Sequence, residues 1–331
     1  MVTSMLAQTG GRPVRRKPFP AWPRYSWKER RALVSVLKSR CWGTLGPKTA
    51  EFERAFASYV GAARCIAVTN GTASLEVILR ALDIGAGDEV IIPPYTFIAT
   101  ATAVLSVGAR PVFADIDPAT NNLSASAAES ALTPATKAII PVHIAGIPAD
   151  MDAFAALGER AGLPIVEDAA QAHGSRWRGR TLGSLGTAGS FSFQLSKNMA
   201  AGEGGAIVTS DERLAERVWS IHHVGRRTDG EWYGHYELGG NSRMTDWQAA
   251  VLLAQLDRLD RQIEIRERNA AALDRALATI EGVTPFPRDE RATRLTHHLY
   301  MFRYNADAFG GLPKERFADA LEAEGIPASP G

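Results

Sequence analysis

The sequence predicts an α/β protein: a three-layer α/β/α large domain on a mostly parallel sheet, with a smaller C-terminal α/β domain. Three observations carry that prediction. Short runs rich in Val and Ile alternate with helix-like stretches through the first half of the chain. Two strand-like runs then follow each other directly, near 188–193 and 204–210. After them a stretch heavy in Arg, Leu and Ala runs from Thr245 to about Ile280, a spine leading to a second domain. Strands that alternate with helices imply right-handed crossovers and a sheet buried on both faces.

The elements can be justified in order. "CIAVTN" (65–70), "DEVIIPP" (88–94), "RPVFADI" (110–116), "KAIIPVH" (137–143) and "PIVEDA" (164–169) read as buried strands. Between them "TASLEVILRALDIG", "FIATATAVLSVG", "SASAAESAL" and "DMDAFAALGERAG" read as helices. "AGSFSF" and "GGAIVTS" are the adjacent strand pair. The expected division is a disordered tail over 1–18, a large domain over 19–255, and a long helix with a small domain over 256–331. The opening 27 residues hold several arginines and no acid, and they lack the apolar region of a secretion signal.

Composition narrows the function. The 331 residues suit one large domain plus a smaller one. Lys and Arg number 37 against 36 Asp and Glu, so nothing marks a nucleic-acid surface. No apolar run is long enough for a membrane helix. The two cysteines, Cys41 and Cys65, form no CxxC motif, which argues against a disulfide scaffold or a zinc knuckle. Both read as buried small hydrophobes in a reducing cytoplasm. The pairs "HH" at 222–223 and 297–298 lack metal-ligand spacing, and no metal is expected.

In open α/β sheets ligands sit beyond the carboxyl ends of the strands. The first strand ends in "TNGTASLEV", where Gly71 and Thr72 open a helix with free N–H groups and a hydroxyl, which suits a phosphate. A turn with an N-cap is the plainer reading of that segment alone. No GxGxxG follows the strand and no GxxxxGK[ST] occurs, so dinucleotide and P-loop sites are unsupported. Phe97, in "PPYTFIATATAV", reads by itself as a core aromatic, with covering a flat ligand ring as the alternative. "PIVEDAAQAHGS" ends a strand in two acids, Glu167 and Asp168, costly to bury unless paired, which read either as an N-cap for the following "AAQAHG" or as a carboxylate for a cationic group on a ligand. "FSFQLSKNMAAGEGGAIV" places Lys197 before a run of glycines, read as letting the backbone pass close to a ligand. A phosphate cradle, a flat ring, a carboxylate and an imine-forming lysine together match what pyridoxal phosphate needs. His143 and His173 read equally as substrate contacts or as structural histidines.

These segments resemble one family. "VTNGTASL", "GDEVIIPPYTFIATATAV", "IIPVHIAG", "VEDAAQAHGS", "FSFQLSKNMAAGEGGAIVTSD", "GGNSRMTDWQAA" and "HHLYMFRY" occur in the order of the DegT/DnrJ/EryC1/StrS aminotransferases. The resemblance implies the aspartate-aminotransferase fold with pyridoxal 5'-phosphate as cofactor. It implies that Lys197 is the Schiff-base lysine and proton shuttle, and that Asp168 pairs with the ring nitrogen. By the same likeness Gln171 bonds the ring oxygen, Gly71, Thr72 and Ser192 hold the phosphate, and Phe97 stacks on the ring. Asn241 would reach the phosphate of a neighbouring subunit, which makes the expected assembly a homodimer with shared sites.

The family also has a branch with histidine in place of the lysine, which performs dehydration; Lys197 implies transamination instead. The expected reaction takes an amino group from glutamine or glutamate to a keto-cyclitol or keto-sugar in antibiotic or sugar biosynthesis. "FPAWPRYS" and "AQAHGSRWRGR" look most like the aminocyclitol branch, with 3-amino-5-hydroxybenzoate synthases and nucleotide-sugar aminotransferases as alternatives. A protein that keeps the fold and binds ligand without catalysis is the reading from another class. Family members continue beyond the segment matching "LEAEGIPASPG", so the small domain is expected to be incomplete at Gly331.

Overall fold

The computed structural model describes residues 5–43 and 45–331. Its α-carbon contacts divide the chain into two units, residues 25–269 with 287–300, and residues 1–24 with 270–286 and 301–331.

The larger unit opens with two helices that the strand-and-helix pattern did not announce, α1 (Trp27–Ser39) and α2 (Pro47–Val60). Local chemistry explains both. Ser26 and Glu29 form a capping box at the start of α1, and Pro47 begins α2 where its missing N–H costs nothing. The alternation follows: β1 (Arg64–Val68), α3 (Gly71–Ala81), β2 (Glu89–Ile92), α4 (Ala99–Ser106), β3 (Arg110–Phe113), α5 (Ala125–Ser130), β4 (Thr136–Ile139), α6 (Met151–Ala161) and β5 (Val166–Asp168). Short strands β6 (Arg176–Trp177) and β7 (Arg180–Thr181) precede the adjacent pair β8 (Ala188–Ser192) and β9 (Gly205–Thr209). Helices α7 (Glu212–His222), α8 (Asp246–Leu256) and α9 (Leu259–Leu277) come next. The expected single spine is thus two helices, broken at Asp257 and Arg258.

Strands β3, β2 and β4 form a parallel group, and β5, β8, β9 and β1 form a second, mixed one. Parallel bridges from Ile139 to Ile165 and from Val142 to Asp168 join them in the order β3-β2-β4-β5-β8-β9-β1. Only β9 runs against the rest. Side chains alternate across this sheet as the period of two requires. Cys65 and Ala67 face a core with Phe52, Phe154, Phe191 and Leu252, whereas Ile66 and Val68 face one with Leu75, Val104 and Val218. Two separate apolar cores, one on each face, are the three-layer α/β/α arrangement that the sequence predicts.

In the smaller unit β10 (Val283–Pro285) pairs antiparallel with β12 (Phe302–Tyr304), while β11 (Ala292–Arg294) lies in the larger unit, paired with β6. Phe302, Tyr304, Phe309 and Phe317 pack ring against ring beside α10 (Lys314–Ala323). Residues 5–18, expected within a disordered tail, are tied down here instead. The Glu324 carboxylate accepts from the Ala7 and Val14 N–H groups, each at 2.8 Å, and its carbonyl accepts from Arg15 N–H. Residues 1–4 of that tail lie outside the described residues. Cys65 is buried as expected, but Cys41 is exposed. Among the described residues no helix is long and apolar enough to cross a membrane.

Candidate active site

With one exception, the residues singled out in the sequence follow the carboxyl ends of strands that run the same way. Gly71 and Thr72 follow β1, and Phe97 follows β2. Asp168 ends β5 with Gln171 just beyond, and Ser192 ends β8 with Lys197 five residues on. This is where an open α/β sheet binds ligands.

The cradle is built by β1, β8 and β9. Gly205, the first residue of β9, pairs with both Val68 and Ser192, which sets the end of β8 beside the start of α3. Asn70 caps α3 through its side chain, accepting from Ala73 N–H at 2.8 Å. The N–H groups of Gly71 and Thr72 are therefore the free amides at a helix N-terminus. A Cβ on Gly71 would stand 2.7 Å from Ser192 Cβ, so only glycine lets the serine close on those amides. The glycines after Lys197 serve the protein's own turn rather than a ligand. A Cβ on Gly205 would lie 2.4 Å from the Asn70 carbonyl oxygen, and Gly202 adopts φ +87°.

The two acids of β5 have separate roles. Glu167 is fully buried and its carboxylate accepts from His143 Nε2–H at 3.0 Å and from the N–H groups of Gly183, Leu185 and Gly186. His143 Nδ1 accepts from Ala149 N–H, which fixes the proton on Nε2. His143 is thus a structural histidine. Asp168, 6% exposed, accepts from Thr100 Oγ1–H at 2.8 Å and from Ala170 N–H at 3.2 Å. No helix follows it to be capped.

Lys197 is half-buried, and among the described residues its amine has no hydrogen-bond or ion-pair partner. Burial holds its pKa below the usual lysine value, partly offset by the charge of Asp168. His173 is buried between the rings of Phe191 and Phe193 and donates from Nε2 to the Ser192 carbonyl at 2.8 Å. Burial, with the Lys197 charge nearby, brings its pKa down to about 3. Gln171 commits its Oε1 to the Ala145 N–H at 2.7 Å, so its amide NH2 is the end left to donate. Phe97 is 67% exposed, an uncovered flat ring beside the strand ends. Asn241 is the exception: it is exposed, accepts from Arg243 Nε at 2.9 Å, and bridges to His223 far along the chain from Lys197.

Sequence reasoning missed Thr100, Asn198 and His298. Thr100 sits one residue beyond "TFIA" and its value as a donor to Asp168 depends on the neighbouring strand. Asn198 donates to the Thr296 carbonyl at 3.0 Å, while its own Oδ1 is buried without a partner. His298 comes from a segment a hundred residues downstream of Asn198, a distance that no local pattern bridges.

An amine made less basic by burial, an oriented buried carboxylate, a helix N-terminus opened by glycine and an exposed ring fit pyridoxal phosphate in their chemistry. The fold and these groups define a pyridoxal-phosphate-dependent aminotransferase. The chain belongs to the DegT/DnrJ/EryC1/StrS aminotransferase family, whose model matches residues 24–330. It is similar to the 3-amino-5-hydroxybenzoate synthase of Amycolatopsis mediterranei (strain S699), 44% identical over 94% of this chain and 80% of that one. It is likewise similar to the L-glutamine:2-deoxy-scyllo-inosose aminotransferase of Streptomyces paromomycinus, 42% identical over 99% of this chain and 81% of the other. The crystal structure of a 3-amino-5-hydroxybenzoic acid synthase superposes with a TM-score of 0.87 at 44% identity, covering 93% of this chain and 79% of that chain.

Proposed function

We propose that the enzyme moves the amino group of glutamine onto the ketone of a cyclitol, through a covalent attachment of its cofactor at Lys197. The observation that carries this reading is the Lys197 amine, free of partners and made less basic by burial. More of it is neutral near pH 7 than of a surface lysine, and only the neutral amine is a nucleophile and base.

Pyridoxal phosphate, when bound, supplies an aldehyde for that amine and a ring that takes up electrons. Gly71, Thr72 and Ser192 would hold its phosphate, Phe97 would cover its ring, Gln171 would donate to its ring oxygen, and Asp168 would pair with its ring nitrogen. Thr100 and Ala170 keep the Asp168 carboxylate oriented for that pairing. Lys197 takes the proton from the carbon that gives up nitrogen and returns one to the carbon that receives it. Proton transfer of this kind contributes about 10²–10⁴-fold. The exposed Asn241 supports a homodimer in which each copy supplies this residue to the other's phosphate. The two free cysteines support a reducing, cytoplasmic setting.

The glutamine-dependent inosose aminotransferases, alike over nearly the whole chain, support a cyclitol ketone and glutamine. The 3-amino-5-hydroxybenzoate synthase, at 44% identity, supports a second reading in which the aminated product is aromatic. The test is to incubate the enzyme with glutamine carrying ¹⁵N at its α-amino group and with 2-deoxy-scyllo-inosose. The expected result is a cyclitol amine bearing the label. No labelled cyclitol, with label entering an aromatic amine from a cyclic enone precursor, would replace the first reading by the second.

A further inference from the structure

Beside Lys197 the structure brings in a residue from a distant segment. His298 donates its backbone N–H to the Ala145 carbonyl at 2.9 Å, and the Ala145 N–H donates to Gln171 Oε1. One residue, Ala145, therefore ties His298 to the side chain assigned to the cofactor's ring oxygen. Two further links fix the same segment. The Thr296 N–H donates to Ser175 Oγ at 3.1 Å, and the Thr296 carbonyl accepts from Asn198, next to Lys197 in the chain. Between them His297 adopts φ 44°, a left-handed conformation that costs a side-chain-bearing residue energy and clusters at functional sites. A Cβ on Gly146 would stand 2.6 Å from Thr296 Oγ1, so the segment also needs glycine opposite it.

The imidazole held there is unfinished. His298 Nδ1 is buried and has no hydrogen-bond partner, a condition rare among native buried polar atoms. Burial and the nearby charges of Lys197 and Arg266 bring its pKa down to about 4, so at neutral pH it is uncharged. His173 has an unpartnered Nδ1 as well, but it is sealed between two phenylalanine rings and its other nitrogen is used. His143 has both nitrogens used. Of the three histidines, His298 alone is only partly buried.

We propose that His298 contacts the acceptor substrate, its imidazole exchanging a hydrogen bond with a ring hydroxyl next to the ketone. The chemistry selects the ligand group. A carboxylate, which every amino-acid donor carries, calls for a cation. A neutral imidazole presents one donor and one acceptor, which complements a hydroxyl. A polyhydroxylated ketone has such a group on the carbon beside the carbonyl, whereas glutamine has none. The proposal rests on the reading of this enzyme as a keto-cyclitol aminotransferase.

The test follows the two half-reactions separately by the absorbance of the bound cofactor, in wild type, His298→Ala and His298→Gln. The expected result is that His298→Ala raises the half-saturating concentration of 2-deoxy-scyllo-inosose about tenfold, the loss typical of one neutral hydrogen bond. The glutamine half-reaction slows far less, and His298→Gln recovers part of the acceptor affinity. Binding of myo-inositol, which has the hydroxyls and lacks the ketone, weakens in parallel by calorimetry and gives a readout independent of turnover. Equal slowing of both half-reactions would make His298 a positioning residue for Lys197 and overturn the proposal. So would acceptor and inositol affinities unchanged from wild type. A wild-type enzyme that takes glutamine's nitrogen but passes it to no cyclitol would overturn the functional reading itself.

Discussion

Glu167 and Asp168 are adjacent in the chain and point to opposite faces of β5, yet they are buried in different ways. Every hydrogen-bonding direction of Glu167 is met by His143 and three backbone amides, in a closed network that no ligand could enter. Asp168 has two donors and lies near Lys197, which has no partner among the described residues, and the Nδ1 of His298 and the Oδ1 of Asn198 nearby are unsatisfied as well. Burying polar groups without partners is costly. One such atom is a local imperfection, but several around one lysine describe a place whose partners arrive with a ligand. The first acid holds the fold together, and the second is the one the proposed function gives to the cofactor.

That contrast can be broken by exchanging the expected consequences. Lys197→Ala removes the nucleophile and base, so activity should fall by about 10³-fold or more. Its folding should be intact, and borohydride reduction should no longer fix the cofactor to the chain; retained turnover would remove Lys197 from its role. Asp168→Asn keeps the shape and loses the charge, and should cost about 10²-fold in turnover with little change in urea midpoint. Glu167→Ala should do the reverse. It leaves a buried histidine and three amides unpaired and should cost about 3 kcal/mol of stability or more, with activity per folded molecule largely kept. Gly71→Ala is milder, forcing Ser192 away from the helix start and weakening cofactor binding about tenfold.

The smallest effect is on pH. His173, His222, His223 and His298 are held neutral chiefly by burial, at about 3, 4, 4 and 4 against 6.5 for the free side chain. Their folded-state values are depressed, so the unfolded chain binds protons first as pH falls. The stability they contribute is complete above 6.5 and is lost as pH falls from 6.5 toward 4. Glu53 acts oppositely, since burial raises its carboxyl to about 7 and its contribution is lost as pH rises from 4.5 to 7. Four groups against one predict a net fall in urea midpoint from pH 7 to pH 4, and a rising midpoint would contradict the histidine burial.

Most of the sheet was legible because its strands are fully buried, and burial on both faces writes Val and Ile runs that polar turns interrupt. Helices α1 and α2 were harder, since their signals are a single capping box and one proline. The strand ends could be read because ligand groups there cluster within a few residues of an apolar run, as Asp168 and Gln171 do after β5. His298 was not legible: Ala145, Ser175 and Asn198 fix it through contacts far apart in sequence. His143 and His173 read as candidates on local grounds, and tertiary hydrogen bonds assign His143 to Glu167 and enclose His173 among aromatic rings.

The most direct test of the central claim is the near-visible absorption of the purified enzyme loaded with pyridoxal phosphate, recorded before and after glutamine, in wild type and in Lys197→Ala. The account predicts a wild-type band that glutamine converts and a keto-cyclitol restores, and a Lys197→Ala protein that binds cofactor without that band. A Lys197→Ala spectrum and glutamine response identical to wild type would contradict it.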